Sequence, residues 1–198
     1  MKLLLTSAGF RNKEVETKFL ELLGKPPAEI NLIFIPTASR FEDELKYVEI
    51  SRQELIHLGI KNIKTLQLDH QITKDEIDKA DVIYVCGGNT FYLIQQIRQS
   101  GFDKLLKSFQ GLYVGVSAGS IVVGPNVEVS GPWDENDINL TDTTGMNIVN
   151  VALIPHYQRK EKSIVDDLKA KANYEIIELT DNQAVLVVDG EKKVIGQP

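Results

Sequence analysis

Leu112-Tyr113-Val114-Gly115-Val116-Ser117-Ala118-Gly119-Ser120-Ile121 joins a short, wholly apolar run to a tight turn of small residues. The run, Leu112–Val116, is too short for a buried helix and reads as a strand covered on both faces. The turn places a serine between Gly115 and Gly119, the G-x-S-x-G elbow in which a strained serine stands at the end of a strand. Side chains at the two glycine positions would collide with the neighbouring strand and helix. The Ala118 N–H then points to where an oxyanion would form, and the N-terminus of the following helix adds partial positive charge. As a turn pattern alone, the same residues also fit a non-catalytic glycine turn.

The same strand–turn–helix grammar recurs on both sides of this stretch. Toward the N-terminus, Val82–Cys86 is a second apolar strand, followed by Gly87-Gly88-Asn89-Thr90 and a helix over Thr90–Gln99. Paired glycines let backbone N–H groups approach a ligand, so Gly88 is a candidate second oxyanion donor. Asn89 or Thr90 can equally serve as a helix N-cap. Further out, strands are expected at Lys2–Thr6, Ile30–Ile35 and Ile63–Leu66, with helices over Glu14–Leu23, Glu42–Leu58, Lys74–Lys79 and Phe102–Phe109. Such alternation predicts an α/β fold with a mostly parallel sheet, and a ligand site beyond the carboxyl ends of its strands. The loops Ser7–Phe10, Cys86–Thr90 and Ser117–Ser120 converge there.

After residue 122 the chain changes character. Residues 124–147 are rich in Gly, Asn, Asp and Thr and read as loops with short strands. Ala152–Pro155 is a strand running into His156, Ile164–Ala172 a helix, and Tyr174–Leu179, Ala184–Val188 and Lys193–Ile195 closing strands. There is no internal repeat or linker, so residues 1–198 are read as one domain.

A net charge of −6 argues against a nucleic-acid partner. The single cysteine, Cys86, permits no intrachain disulfide. The apolar N-terminal run ends at Thr6, too short for a signal peptide or a membrane span. The cytoplasm is the expected compartment, with no membrane partner.

A serine nucleophile needs a base, and the chain has three histidines. His57 lies within a helix pattern and His70 in a polar loop. His156 ends a strand behind Pro155, well placed to meet Ser117. An acid behind the histidine is sought between the two, among Glu128, Asp134, Glu135, Asp137 and Asp142, by analogy with the Ser, acid, His order of α/β-hydrolases.

Cys86-Gly87-Gly88-Asn89-Thr90-Phe91, Gly115-Val116-Ser117-Ala118-Gly119 and Pro155-His156-Tyr157, in this order, resemble the dipeptidase E and cyanophycinase family of serine peptidases. The resemblance implies a three-layer α/β/α sandwich like that of class I glutamine amidotransferases, and no metal or other cofactor. It implies hydrolysis of a small peptide, at an aspartyl bond; the expected assembly is a monomer or homodimer. Ser117 matches the nucleophile, His156 the base, and the backbone of Gly88 and Ala118 the oxyanion donors, with Asn89 helping to shape the site. A gapless count back from His156 puts the acid at Asp134, with Asp137 as competitor. Arg159, three residues past His156, is the candidate partner for a substrate carboxylate. Cys86 stands where dipeptidase E has glycine, and the segment after His156 is shorter. A serine amidase or esterase, or a silent binding module of the same fold, are the alternatives. Glutamine amidotransferase chemistry is disfavoured because it needs cysteine where Ser117 stands.

Overall fold

The computed structural model describes residues 1–198. In chain order, its strands are β1 (Lys2–Thr6), β2 (Asn31–Ile35), β3 (Asn62–Thr65), β4 (Val82–Val85), β5 (Leu112–Val116), β6 (Val151–Ile154), β7 (Glu175–Glu178), β8 (Ala184–Val188) and β9 (Glu191–Ile195). The α-helices are α1 (Lys13–Leu22), α2 (Glu42–His57), α3 (Lys74–Ile77), α4 (Thr90–Ser100), α5 (Phe102–Leu106), α6 (Ala118–Ile121) and α7 (Lys162–Lys171).

Seven strands form one sheet in the order β3-β2-β4-β5-β1-β8-β9. The first five of these pair in parallel, and β8 and β9 close the sheet antiparallel. The fold is therefore the expected α/β arrangement with a mostly parallel centre. Strict alternation along the strands divides the core in two. Val82 and Tyr84 face one side with Leu4, Phe34, Val114, Phe19 of α1 and Leu55 of α2. Ile83 and Val85 face the other with Leu5, Ile35, Tyr113 and the buried faces of α4 and α5. Period-two alternation in a fully buried strand needs cover on both faces, and the helices supply it.

Two parts of the chain depart from the sequence reading. Residues 124–147 hold no strand, only a 3-10 turn at Glu128–Ser130 and an isolated bridge between Asn126 and Thr144. Turn bonds to neighbouring carbonyls, such as Gly145 N–H to Pro125 O, take the place of a ladder. The strand β7 does not join the main sheet. It pairs in parallel with β6 as a separate two-stranded sheet, with Ile154 opposite Glu178. That pairing carries the chain end of β6 and the chain end of β7 to one place.

At the central sheet β4, β5 and β1 are neighbours, and all three run the same way. The loops after them are therefore adjacent by construction.

Candidate functional site

Ser117 stands between β5 and α6 with φ 50° and ψ −112°, a conformation non-glycine residues seldom adopt. The surrounding structure over-determines it. Its N–H donates to Thr6 O at 3.1 Å, while its own carbonyl accepts from Ser120 N–H at 2.8 Å. The Ser120 hydroxyl donates to Thr6 O at 2.8 Å, and Tyr113 donates to Gly119 O at 2.7 Å. A Cβ on Gly115 would lie 2.5 Å from Gly119 O, and one on Gly119 2.3 Å from Val85 O. The two glycines of the elbow thus let the turn fold back over β5 and against β4. The helix that follows, α6, is a single turn of four residues. Its contribution to an oxyanion is the free N–H of Ala118, the first helical residue, more than a macrodipole.

Gly88 has φ 137°, and a Cβ there would lie 2.3 Å from the carbonyl carbon and oxygen of Ala38. Only glycine fits this close approach. Gly88 and Ser117 line one cavity of about 600 Å³. Asn89 also lines it, but both ends of its side chain are committed to structure. Its Oδ1 accepts from Tyr92 N–H at 2.9 Å as the N-cap of α4, and its Nδ2 donates to Glu135 O at 2.8 Å. Asn89 shapes the wall without offering a free polar atom.

His156, just past β6, also has positive φ, 58°. Its N–H donates to the hydroxyl of buried Ser7 at 2.7 Å, and that hydroxyl donates to Leu179 O at 3.3 Å. Ser7 thus couples the loop after β1 to the ends of β6 and β7, and it holds the backbone that aims the imidazole. His156 Nε2 lies 3.0 Å from Ser117 Oγ, and Nδ1 lies 2.6 Å from Asp181 Oδ1. Asp181 Oδ2 in turn accepts from Arg11 Nη1 at 3.1 Å. Serine, imidazole and carboxylate form an unbroken chain. This geometry can move a proton from the hydroxyl to Nε2 while the carboxylate steadies the imidazolium.

The carboxylate behind the histidine is therefore Asp181, and the expectation of Asp134 is corrected. Asp134 Oδ2 accepts the Thr90 N–H at 2.9 Å, at the start of α4. It lines the same cavity but makes no hydrogen bond to His156. Burial raises its pKa, with the Thr90 contacts working against that rise. Asp137, the competitor, is ion-paired to Arg40 at 2.9 Å. The physical reason for the correction is the β6–β7 ladder. Tyr157 N–H bonds Leu179 O and Leu179 N–H bonds Ile154 O, which extends the pairing past both strands and brings Asp181 beside His156. A search confined to the chain between Ser117 and His156 cannot reach residue 181.

Arg159 is corrected as well. It sits in an exposed 3-10 turn, Arg159–Glu161, and does not line the cavity. The one lysine or arginine that does is Arg11. Cys86 is 2 % exposed, and burial pushes its thiol pKa up, which suits a small buried hydrophobe and not a nucleophile. Sequence reasoning missed Asp181 and Arg11, and it placed the Ser7–Phe10 loop at the site without giving Ser7 a role. The signal for Ser7 and Arg11 was their place just beyond β1, next to the elbow.

These positions yield a prediction. Asp134→Asn keeps an oxygen that can accept the Thr90 N–H, and leaves the Asp181–His156–Ser117 chain intact. Its rate of Ser117 labelling by a fluorophosphonate should stay within about threefold of wild type, because nucleophile activation runs through Asp181. Labelling slowed a hundredfold would return Asp134 to the relay.

Three kinds of similarity agree with the site. The sequence model of peptidase family S51 matches residues 3–195. An uncharacterized peptidase of Listeria monocytogenes is 33% identical over 201 residues, covering 94% of this chain and 95% of that protein. Peptidase E of Salmonella arizonae is 26% identical over 186 residues, covering 84% of this chain and 76% of its own. The 1.5 Å crystal structure of a candidate peptidase E protein from Listeria monocytogenes EGD-e superposes with a TM-score of 0.84 at 30% identity, over 100% of this chain and 98% of that one. With a family match across nearly its whole length, the chain belongs to peptidase family S51 and is a serine peptidase.

Proposed function

We propose that this peptidase cleaves small peptides through an acyl-enzyme on Ser117, with His156 as general base and Asp181 as the acid that orients it. The observation that carries this reading is the 3.0 Å contact from His156 Nε2 to Ser117 Oγ, backed by the 2.6 Å contact from Nδ1 to Asp181. The Ser117 hydroxyl attacks the scissile carbonyl as its proton passes to Nε2. The C–N bond then breaks, and the same proton goes to the leaving amine. Water, deprotonated by His156, attacks the ester; the C–Oγ bond breaks, the proton on His156 returns to Ser117 Oγ, and the acyl group leaves as a carboxylic acid. The Gly88 and Ala118 N–H groups hold the oxyanion. Loss of one such donor typically costs about 3–4 kcal/mol in the transition state.

Restriction to small peptides is supported by the cavity, whose volume of about 600 Å³ suits a ligand of a few residues. The family resemblance also implies cleavage at an aspartyl bond. It would require a cation for the aspartyl side chain, and the Arg11 guanidinium is already paired with Asp181.

Treatment with a fluorophosphonate probe and mass spectrometry of the digest should find the label on Ser117 alone. A folded protein that stays unlabelled at Ser117 would overturn the nucleophile assignment. Hydrolysis of a dipeptide library separates peptidase action from the esterase alternative.

A further inference from the structure

The wall of the catalytic cavity facing Ser117 comes from α2 and the 133–135 loop, and its charge is one-sided. Five carboxylates line the cavity, on Glu44, Glu54, Asp134, Glu135 and Asp181, against one arginine, Arg11, and the histidine His156. Asp181 and Arg11 pair with each other, and Asp134 holds Thr90. Glu44 uses one oxygen for the Arg40 and Phe41 N–H groups at the start of α2. Arg40, nearby, is paired with Asp137 and stacks on Phe41 and Tyr92. Glu54 forms no ion pair, although it is half-buried.

A second observation points to the same spot. Tyr84 is fully buried behind the cavity wall, and its hydroxyl makes no hydrogen bond of normal length, with the Ser51 hydroxyl only partly offsetting the burial that raises its pKa. That hydroxyl and the Glu54 carboxylate lie on one side of Gly9, 3.8 Å and 2.9 Å from where a Cβ would stand. Ser51, one turn before Glu54, lines the cavity beside them. A half-buried carboxylate without a cationic partner is costly unless a donor arrives. Burial already raises the Glu54 pKa, with the Phe10 N–H and the Arg11 charge as its only counterweights.

Part of the remaining wall is apolar. Tyr47, Val48, Ile50 and Trp133 line the cavity, and Tyr47, Ile50 and Trp133 are 54%, 50% and 41% exposed to solvent. Aliphatic and aromatic surface with carboxylates at its end matches a side chain that has an apolar stem and a cationic head. An aspartyl side chain would instead meet unpaired like charges, which select against it.

We propose that this wall, with Glu54 as its principal carboxylate, receives the cationic side chain of a lysine or arginine in the peptide substrate. This rests on the catalytic reading of the cavity. The ammonium or guanidinium donates to Glu54, with Glu44 and Glu135 adding field, and the stem lies along Tyr47 and Ile50.

The test has one arm without chemistry. Binding of Lys-Leu, Arg-Leu, norleucyl-Leu and Asp-Leu, and of the same pairs in reversed order, is measured by calorimetry on the Ser117→Ala protein. Lysyl or arginyl peptides should bind roughly tenfold or more tighter than the norleucyl peptide, and aspartyl peptides weakest. Glu54→Gln in the same background should erase most of that margin, and Glu135→Gln should shrink it. Melting curves confirm that each variant is folded. Equal binding of lysyl and norleucyl peptides, or preference for aspartyl ones, overturns the proposal. A margin unchanged by both substitutions does the same. Loss of all binding on N-acetylation, with no lysine preference, would assign the carboxylates to the α-amino group instead and also overturn it. Wild-type turnover of the same peptides should follow the same ranking. Fluorophosphonate labelling judges the catalytic reading separately, so the two can fail independently.

Discussion

Asp181→Asn is expected to lower kcat by about 10²–10⁴-fold with little change in KM. The Nδ1–Asp181 contact of 2.6 Å requires the proton on Nδ1, which leaves Nε2 free to accept from Ser117 at 3.0 Å. Asparagine can turn its amide NH₂ toward Nδ1, and the ring then carries its proton on Nε2, where it cannot act as base. The imidazolium formed during attack also loses its negative partner. Two features keep the effect from the top of the range. The Asp181 side chain is 43% exposed, so solvent can partly replace it, and it already shares its charge with Arg11. Steady-state kinetics on the best dipeptide measure the effect. A kcat within tenfold of wild type would remove Asp181 from the relay. Fluorophosphonate labelling of the variant should slow in parallel, since activation of the hydroxyl depends on the same tautomer.

Ser117→Ala is expected to be more severe, on the order of 10⁶-fold in kcat. No other hydroxyl can take over. The Ser120 hydroxyl is buried and donates to Thr6 O, so it is neither free nor aimed into the cavity. The Cys86 thiol is buried, with its pKa pushed up. Alanine keeps the backbone bonds to Thr6 and Ser120 that fix the elbow. It keeps the unusual φ too, so the melting temperature should move little. The variant should also escape fluorophosphonate labelling entirely. Wild-type-like turnover by the purified, folded variant would sink the nucleophile assignment.

The fold was legible because its signals are local. The strands at Lys2–Thr6, Leu112–Val116 and Ala184–Val188 have the same bounds in the sequence and in the structure. Each is a continuous apolar run between turn residues, and a doubly covered strand needs nothing else to declare itself. Residues 124–147 were less legible. Their loops are held by individual backbone and side-chain bonds, such as Asn136 to Leu140 and Arg98 to Thr144, which leave no periodic trace.

The candidate site divides along the same line. Sequence alone determined the elbow, because Gly115, Ser117 and Gly119 encode a turn within five residues. It also placed Gly88 and His156 at strand ends, where a mostly parallel sheet presents its loops. The identity of the acid belongs to tertiary structure. Asp181 is 25 residues from His156 and 64 from Ser117 in sequence, and only the parallel β6–β7 pairing makes it a neighbour of the imidazole. Asp134 lies closer in sequence and was drawn instead to the Thr90 N–H. The charge of the cavity was hidden for the same reason. Glu54 reads as one polar position on an amphipathic helix until α2 is laid along the catalytic cleft. Its carboxylate then belongs to the lining of the cavity that holds Ser117. A strand's burial is written in its own residues, but which carboxylate meets a histidine or a substrate depends on partners far along the chain.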